Sequence, residues 1–295
     1  MIFRSFGNTG EQVSLLGFGT APIGLTGYQD PQFDQRRSED ESRAALHAAV
    51  GAGITFFDTA PAYGNKVITG PWSTDRAAER LLGSVLAQYP RDGFFVATKN
   101  QFDRLDPAGI RESLEESLRL LKTDYVDLFQ VHGIVAKPFR ADNWQAFVTE
   151  EVLTTFELLR KEGKCRYIGI SGYREGGLCA AIETGRFQAV MPQFNLFYRG
   201  PELELVPIAQ DRGVAIIPMR PLTGRLIFKL WQELDAGGAG QTDPIAIAMR
   251  YICSFAQVAT MPVGMRTVRE VEHNVRVLDQ LHRESCASAT TSDKA

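Results

Sequence analysis

Residues 94–131 read FFVATKNQFDRLDPAGIRESLEESLRLLKTDYVDLFQV, and the order of patterns in that stretch decides the fold. Phe94 to Thr98 is a short run of aromatic and β-branched residues, as in a strand. Pro107 to Leu121 spaces its apolar residues for a helix, and Tyr125 to Val131 returns to the strand pattern. Asp106 precedes Pro107 as an N-cap, and Pro107 suits a first helical turn, where its missing N–H forfeits no intrahelical bond. Strand, helix and strand in this order form a crossover unit joining parallel strands.

Working outward, the same alternation continues in both directions. Further strands are expected at Ser14 to Gly19, Ile54 to Asp58, Tyr167 to Ser171, Val190 to Gln193, Val214 to Pro218 and Val258 to Val263. Helices are expected at Glu39 to Ala52, Asp75 to Tyr89, Trp144 to Glu162, Glu175 to Thr184, Glu202 to Asp211, Thr242 to Phe255 and Thr267 to Leu281. Gly163 can take the left-handed conformation that ends a helix. Eight such units over about 270 residues match an α/β fold of the (β/α)8 TIM-barrel type, whose typical size is about 250 residues. Ahead of them, Phe3 to Phe6 and Gln12 to Leu15 flank Gly7-Asn8-Thr9-Gly10, a hairpin expected to close the bottom of the barrel. The expected organisation is one barrel domain over residues 1–284 and a disordered Ala-, Ser- and Thr-rich tail over 285–295.

The 295 residues carry a formal net charge of -3, with 44% hydrophobic and 23% charged residues. These are values of an ordinary folded protein, and they exclude a disordered or fibrous chain. Near-balanced charge gives no long-range pull on nucleic acid or anionic lipid, so a small-molecule ligand is the expected partner. There is no signal-peptide pattern and no long apolar run, so the expected location is the cytoplasm, as a monomer or small homo-oligomer. Cys165, Cys179, Cys253 and Cys286 are widely spaced without zinc-ligand patterns, which reads as reduced thiols and no metal site.

In an α/β barrel the chemistry lies where strands end. Three consecutive strands end in Phe56-Phe57-Asp58-Thr59-Ala60-Pro61-Ala62-Tyr63-Gly64, Ala97-Thr98-Lys99-Asn100 and Phe129-Gln130-Val131-His132-Gly133. Neighbouring strands are about 4.8 Å apart, so Asp58, Tyr63, Lys99 and His132 can converge. Each alone reads as a packing or surface residue; four at adjacent strand ends read as a catalytic group. A phenol titrates near 10, but an ammonium beside it stabilises the phenolate, which makes Tyr63 next to Lys99 a tunable acid.

The segments FFDTAPAYG, ATKN, LKTDYVDLFQVHG, GKCRYIGISG and QFNLFYR resemble, in order, the signatures of the aldo-keto reductase superfamily. The resemblance runs from Phe3 to about Leu281. It implies NAD(P)H-dependent reduction of an aldehyde or ketone, sugars among them, with Asp58, Tyr63, Lys99 and His132 matching the catalytic tetrad. Tyr63 would donate the proton, Lys99 paired with Asp58 would lower its pKa, and His132 would orient the carbonyl.

For the cofactor, NADPH with NADH as the alternative, the resemblance implies Gly19, Thr20, Asp58, Ser171, Gln193 and Met219. It further implies Arg220, Pro221, Leu222, Gly224 and Leu226 in one loop, and Gly264, Arg266, Glu270 and Asn274 in another. Ser171 and Gln193 would hold the nicotinamide carboxamide, and the two loops the pyrophosphate and adenosine. Arg266 and Arg269 are candidates for a 2'-phosphate, since guanidinium donors suit phosphate. Gly172 replaces an expected asparagine, Met219 an expected aromatic ring, and Arg220, often a serine, is placed to meet phosphate or an anionic substrate. Tyr28, Trp72, Phe102, Trp144 and Phe197 are expected to wall the substrate pocket, with Tyr63 and His132 at its floor.

Two other functions fit parts of this pattern. One is a Schiff-base aldolase or lyase with Lys99 as nucleophile, disfavoured because a paired carboxylate keeps the amine protonated. The other is a nicotinamide-sensing binding protein with little turnover.

Overall fold

The computed structural model describes residues 1–23, 35–64, 76–101, 104–133, 148–223, 227, 231 and 243–292, with side chains from 39 in the first helix and to 285 in the last. Two antiparallel strands open the chain, β1 (Phe3–Ser5) and β2 (Gln12–Ser14). Eight parallel strands follow: β3 (Leu16–Gly19), β4 (Phe56–Asp58), β5 (Phe95–Lys99), β6 (Val126–His132), β7 (Cys165–Gly172), β8 (Ala189–Pro192), β9 (Ala215–Ile216) and β10 (Met261–Gly264). They form one curled sheet in the order β10-β3-β4-β5-β6-β7-β8-β9. Ile216 in β9 bridges Val258, just before β10, through bonds from Ile216 N to Gln257 O and from Ala259 N to Ile216 O. All eight expected strands are present, with ends shifted by a few residues.

Helices return the chain between strands: α1 (Gln35–Gly51), α2 (Ala77–Leu86), α3 (Pro107–Leu121), α4 (Glu150–Lys161), α5 (Glu175–Glu183), α6 (Leu205–Arg212), α7 (Pro244–Cys253) and α8 (Val268–Ser292). The Asp106 carboxylate accepts from Gly109 N at 2.8 Å to start α3, as the sequence predicts. Gly163 takes a φ of 78° just past α4. Several helix ends differ from expectation by a few residues, as where α1 begins at Gln35 rather than Glu39. Helix α2 begins at Ala77 after Arg76 in a left-handed conformation, and α8 continues to Ser292 where a disordered tail was expected from Ser285. Alanine and serine do not break a helix already propagating, and Ser285 Oγ bonds back to Leu281 O.

Side chains alternate across each strand, so the sheet has two buried faces. The inner face gathers Phe6, Val13, Phe56, Phe95, Ala97, Leu128, Ala189, Met191, Ala215, Ile217 and Ala259. The outer face packs Leu, Ile, Val and Phe against the helices. Phe6 from the hairpin reaches Phe56, Phe95 and Tyr167, with ring centroids at 6.4, 4.5 and 6.2 Å, so the hairpin fills the interior where the strands begin. Arg4 fixes it there by donating to the carbonyls of Cys253, Phe255 and Val258. Chemistry is thereby left to the opposite end, where the strands finish.

Candidate active site

Strand register places the site. Asp58 pairs with Ala97, Lys99 with Gln130, and His132 with Ser171, so inward-facing polar side chains step around the strand ends. Below them the inner face is apolar, and the change from Ala97 to Lys99 on one face of β5 marks where the core stops and the site begins.

Lys99 is fully buried, and its Nζ donates to Asp58 Oδ1 at 2.6 Å and to the Thr59 carbonyl at 3.0 Å. Burial pushes the Asp58 carboxyl up and the Lys99 ammonium down, because neither charge is hydrated, and each partner opposes the other's shift. The carboxylate of Glu79 adds a second attraction on Lys99. Thr20 ties β3 to this pair by donating its N–H and hydroxyl to Asp58 O.

Tyr63 is presented by a turn closed by its own N–H to Ala60 O. Gly64 follows at a φ of 76°, and a Cβ there would lie 2.7 Å from both Ile23 O and Ala78 N, so only glycine lets the turn dock. The Tyr63 ring centroid is 4.8 Å from Lys99 Nζ, and the His132 ring meets it edge-on at 6.3 Å. Buried beside the Lys99 ammonium, His132 is pushed down to about 3, so its imidazole is neutral at any ordinary pH. Asn100 Oδ1 accepts from His132 N at 2.8 Å and holds the end of β6.

All four residues expected to converge are therefore together. Two neighbours were quoted within their motifs without a role: Asn100, and Gln130, two residues before His132 on the same face of β6. Gln130 is fully buried and faces Asp58, and among the described residues neither end of its amide closes a hydrogen bond of ordinary geometry. Period-two reading of β6 was the signal that could have found it.

The expected cofactor residues extend from this group. Ser171 adjoins His132 in register, and Gln193 is bridged to Met219 on the next strand ends. Ser171 Oγ donates to Val131 O at 3.0 Å, which leaves its lone pairs for an amide donor. Gly19 and Thr20 are buried against β4 and β10, and Pro221 and Leu222 follow Arg220, whose guanidinium lies 5.9 Å from the Tyr173 ring. A Cβ on Gly172 would meet only the Leu178 side chain, at 3.3 Å, so sterics do not require glycine there. Gly264 ends β10, Arg266 leads into α8, and Glu270 and Asn274 lie in its first two turns.

Glu270 has a local task the sequence reading did not foresee. Its Oε2 accepts from Arg266 N at 2.6 Å and Thr267 N at 3.3 Å, while Thr267 Oγ1 accepts from Glu270 N. This reciprocal cap fills donors at the start of α8, and Glu270 also faces the Arg266 guanidinium at 3.7 Å. Asn274 is buried, and its Oδ1 meets no hydrogen-bond partner among the described residues, which fits an acceptor kept for a bound donor. Phe197 projects from the turn after β8, about half exposed. Tyr28, Trp72, Phe102, Trp144, Gly224 and Leu226 lie outside the described residues.

A family model described as the aldo/keto reductase family matches residues 15–292. The chain belongs to the aldo/keto reductase family. Among relatives, L-galactose dehydrogenase of Arabidopsis thaliana is 27% identical over 98% of this chain and 92% of the plant protein. The aldo-keto reductase YhdN of Bacillus subtilis is 31% identical over 81% of this chain and 67% of its own length. A solved aldo-keto reductase from Bacillus halodurans, AKR11C1 in its holo form, superposes with a TM-score of 0.72 at 25% identity, covering 94% of this chain and 91% of that one. Family members are oxidoreductases that use nicotinamide cofactors, so the strand-end group described above lies in a chain of matching chemistry. Among the described residues no helix is long and apolar enough to cross a membrane.

Proposed function

We propose that this chain is an NAD(P)H-dependent reductase of aldehydes or ketones, built as a single closed (β/α)8 domain, with Tyr63 as general acid. The observation that carries the reading is the buried Lys99–Asp58 pair, 2.6 Å apart, with the Tyr63 ring against the Lys99 ammonium and His132 edge-on to that ring. The bridge from Ile216 to Val258, which joins the sheet's two ends, supports the closed ring.

A nicotinamide bound here would supply the hydride that reduces the carbonyl carbon. As charge grows on the carbonyl oxygen, Tyr63 gives up its phenolic proton to it. Lys99 stabilises the phenolate left behind, and Asp58 keeps Lys99 charged and pointed. A neutral His132 contributes an N–H hydrogen bond that orients the carbonyl without competing as an acid. Ser171 and Gln193 would hold the carboxamide, and Asn274 the adenosine end.

Arg266 and Arg269 favour a 2'-phosphate, and Glu270 opposes it. We read NADPH as the preferred cofactor with NADH accepted. Sugars are the first substrates to try, because the plant relative that spans nearly all of this chain is named for a sugar. The Schiff-base reading gains no support, since Lys99 Nζ is committed to Asp58 and Thr59. A redox sensor without turnover gains none either, because a complete acid and its supporting pair are assembled.

The test is tryptophan-fluorescence titration with NADPH and NADH, then turnover at the reduced-nicotinamide band over sugars, aldehydes and ketones, for wild type and Tyr63→Phe. Proton donation contributes about 10²–10⁴-fold, so Tyr63→Phe should keep the cofactor Kd and lose turnover by that factor. An undiminished rate would remove Tyr63 from its role, and failure to bind either cofactor would overturn the reading.

A further inference from the structure

Behind Lys99, outside the group that faces substrate, lies a second buried ion pair. Arg76 Nη1 and Glu79 Oε2 are 3.2 Å apart, and both residues are buried. A buried pair is a poor way to add stability, since desolvating two charges offsets most of their attraction. What distinguishes this pair is where its remaining hydrogen bonds go.

Glu79 Oε1 accepts from the Thr98 hydroxyl at 2.7 Å, and Thr98 is the residue before Lys99. Arg76 donates to Ser113 O at 3.0 Å and Ser117 Oγ at 2.9 Å through Nη1, and to Ser113 Oγ at 3.3 Å through Nη2. Ser113 Oγ in turn accepts from the backbone N–H of Gln101 at 2.9 Å, two residues after Lys99. One network from α2 and α3 thus grips β5 on both sides of Lys99. Between the two grips, Asn100 bonds to Gln130 O and accepts from His132 N, so the same segment also sets His132. The left-handed φ of 52° at Arg76 is the backbone conformation from which its guanidinium makes these contacts.

We propose that Arg76, Glu79, Thr98 and Ser113 are positioning residues that hold Lys99 against Asp58 and beneath Tyr63. The inference rests on the reading of Lys99 as the partner of an acid. Glu79 also carries a negative charge toward Lys99, in the same sense as Asp58, although it touches neither substrate nor Tyr63.

Thr98→Val removes the hydroxyl at constant volume and leaves the Arg76–Glu79 pair whole, so it folds where a charge deletion would not. A small displacement of a catalytic group costs roughly 10- to 100-fold, so Thr98→Val should lower kcat by that factor at nearly unchanged KM and cofactor Kd. The alkaline limb of its kcat profile should move to higher pH, because Tyr63 must be protonated to act and an ammonium drawn away from it lowers its pKa less. Thr98→Ser, which keeps the hydroxyl and loses the methyl, should recover most of the rate. Wild-type kcat and pH profile in Thr98→Val, or equal loss in Thr98→Ser, would overturn the proposal. If wild type turns over no carbonyl, the functional reading has failed separately. Tyr63 ionisation, taken as the tyrosinate absorbance of the chain minus that of its Tyr63→Phe counterpart, still decides the network. It should move to higher pH in Thr98→Val and return in Thr98→Ser, and no movement would overturn the proposal.

Discussion

Lys99→Met strips the Asp58 carboxylate of the ammonium 2.6 Å away while leaving it in a buried position. Burial already pushes Asp58 upward, and without Lys99 it should fold as the protonated acid. Holding a carboxyl of unfolded pKa near 3.9 protonated at pH 7 costs about 4 kcal/mol, inside the range of about 3–5 kcal/mol for breaking a buried pair. Unfolding entropy of about 2.1 cal/mol/K per residue gives roughly 0.6 kcal/mol per degree for this length, so Tm should fall by about 5–8 °C at pH 7. A raised carboxyl pKa contributes stability fully below the unfolded value and loses it as pH climbs to the folded value. The deficit should therefore shrink by up to about 2.7 kcal/mol, roughly 4 °C, between pH 7 and pH 5. Differential scanning calorimetry of wild type and variant at both pH values measures it, and Asp58→Asn added to Lys99→Met should abolish the pH-dependent part. An equal Tm deficit at pH 5 and pH 7 would refute the picture of a carboxyl trapped without water.

Three further outcomes follow from other contacts. Because His132 is held near 3, the kcat profile should show no His132 inflection near the usual histidine value of about 6.5; an inflection there that vanishes in His132→Gln would contradict its burial. Gly83→Ala should destabilise by about 1–3 kcal/mol in thermal denaturation, since the new Cβ would stand 2.1 Å from Leu120 O and force α2 off α3; an unchanged Tm would disprove that contact. Glu270→Gln keeps an acceptor for the α8 cap but removes a charge, so NADPH should bind about two- to fivefold tighter with NADH unaffected. Equal changes for both cofactors, read by fluorescence titration, would place the 2'-phosphate elsewhere.

The strand and helix alternation was legible because burial on both faces of a parallel sheet forces apolar runs, and Asp106-Pro107 and Gly163 mark their helix ends locally. Asp58, Tyr63, Lys99 and His132 were legible for a related reason: each breaks an apolar run where a strand stops. The Arg76 network was not, because Glu79 meets Thr98 and Arg76 meets Ser113 only after the chain has folded back, and a left-handed arginine has no sequence signature. Glu270 is a different case. Thr267-x-x-Glu270 is a capping-box pattern in plain view. It was read as part of a cofactor loop rather than for what it does to its own helix.

The grip of Arg4 on Cys253, Phe255 and Val258, and the pairing of β3 with β10, join the first strands made to the last. During synthesis the sheet from β3 to β9 can assemble while β3 and β9 both present unpaired backbone to solvent, a template for association with other chains. Only when Met261–Gly264 clears the ribosome do the two edges meet. Such long-range pairing is slow, so the nascent chain passes through its most adhesive state immediately before β10 docks. The guanidinium at position 4 acts as a latch for that step, waiting for the carbonyls of Cys253, Phe255 and Val258 to arrive.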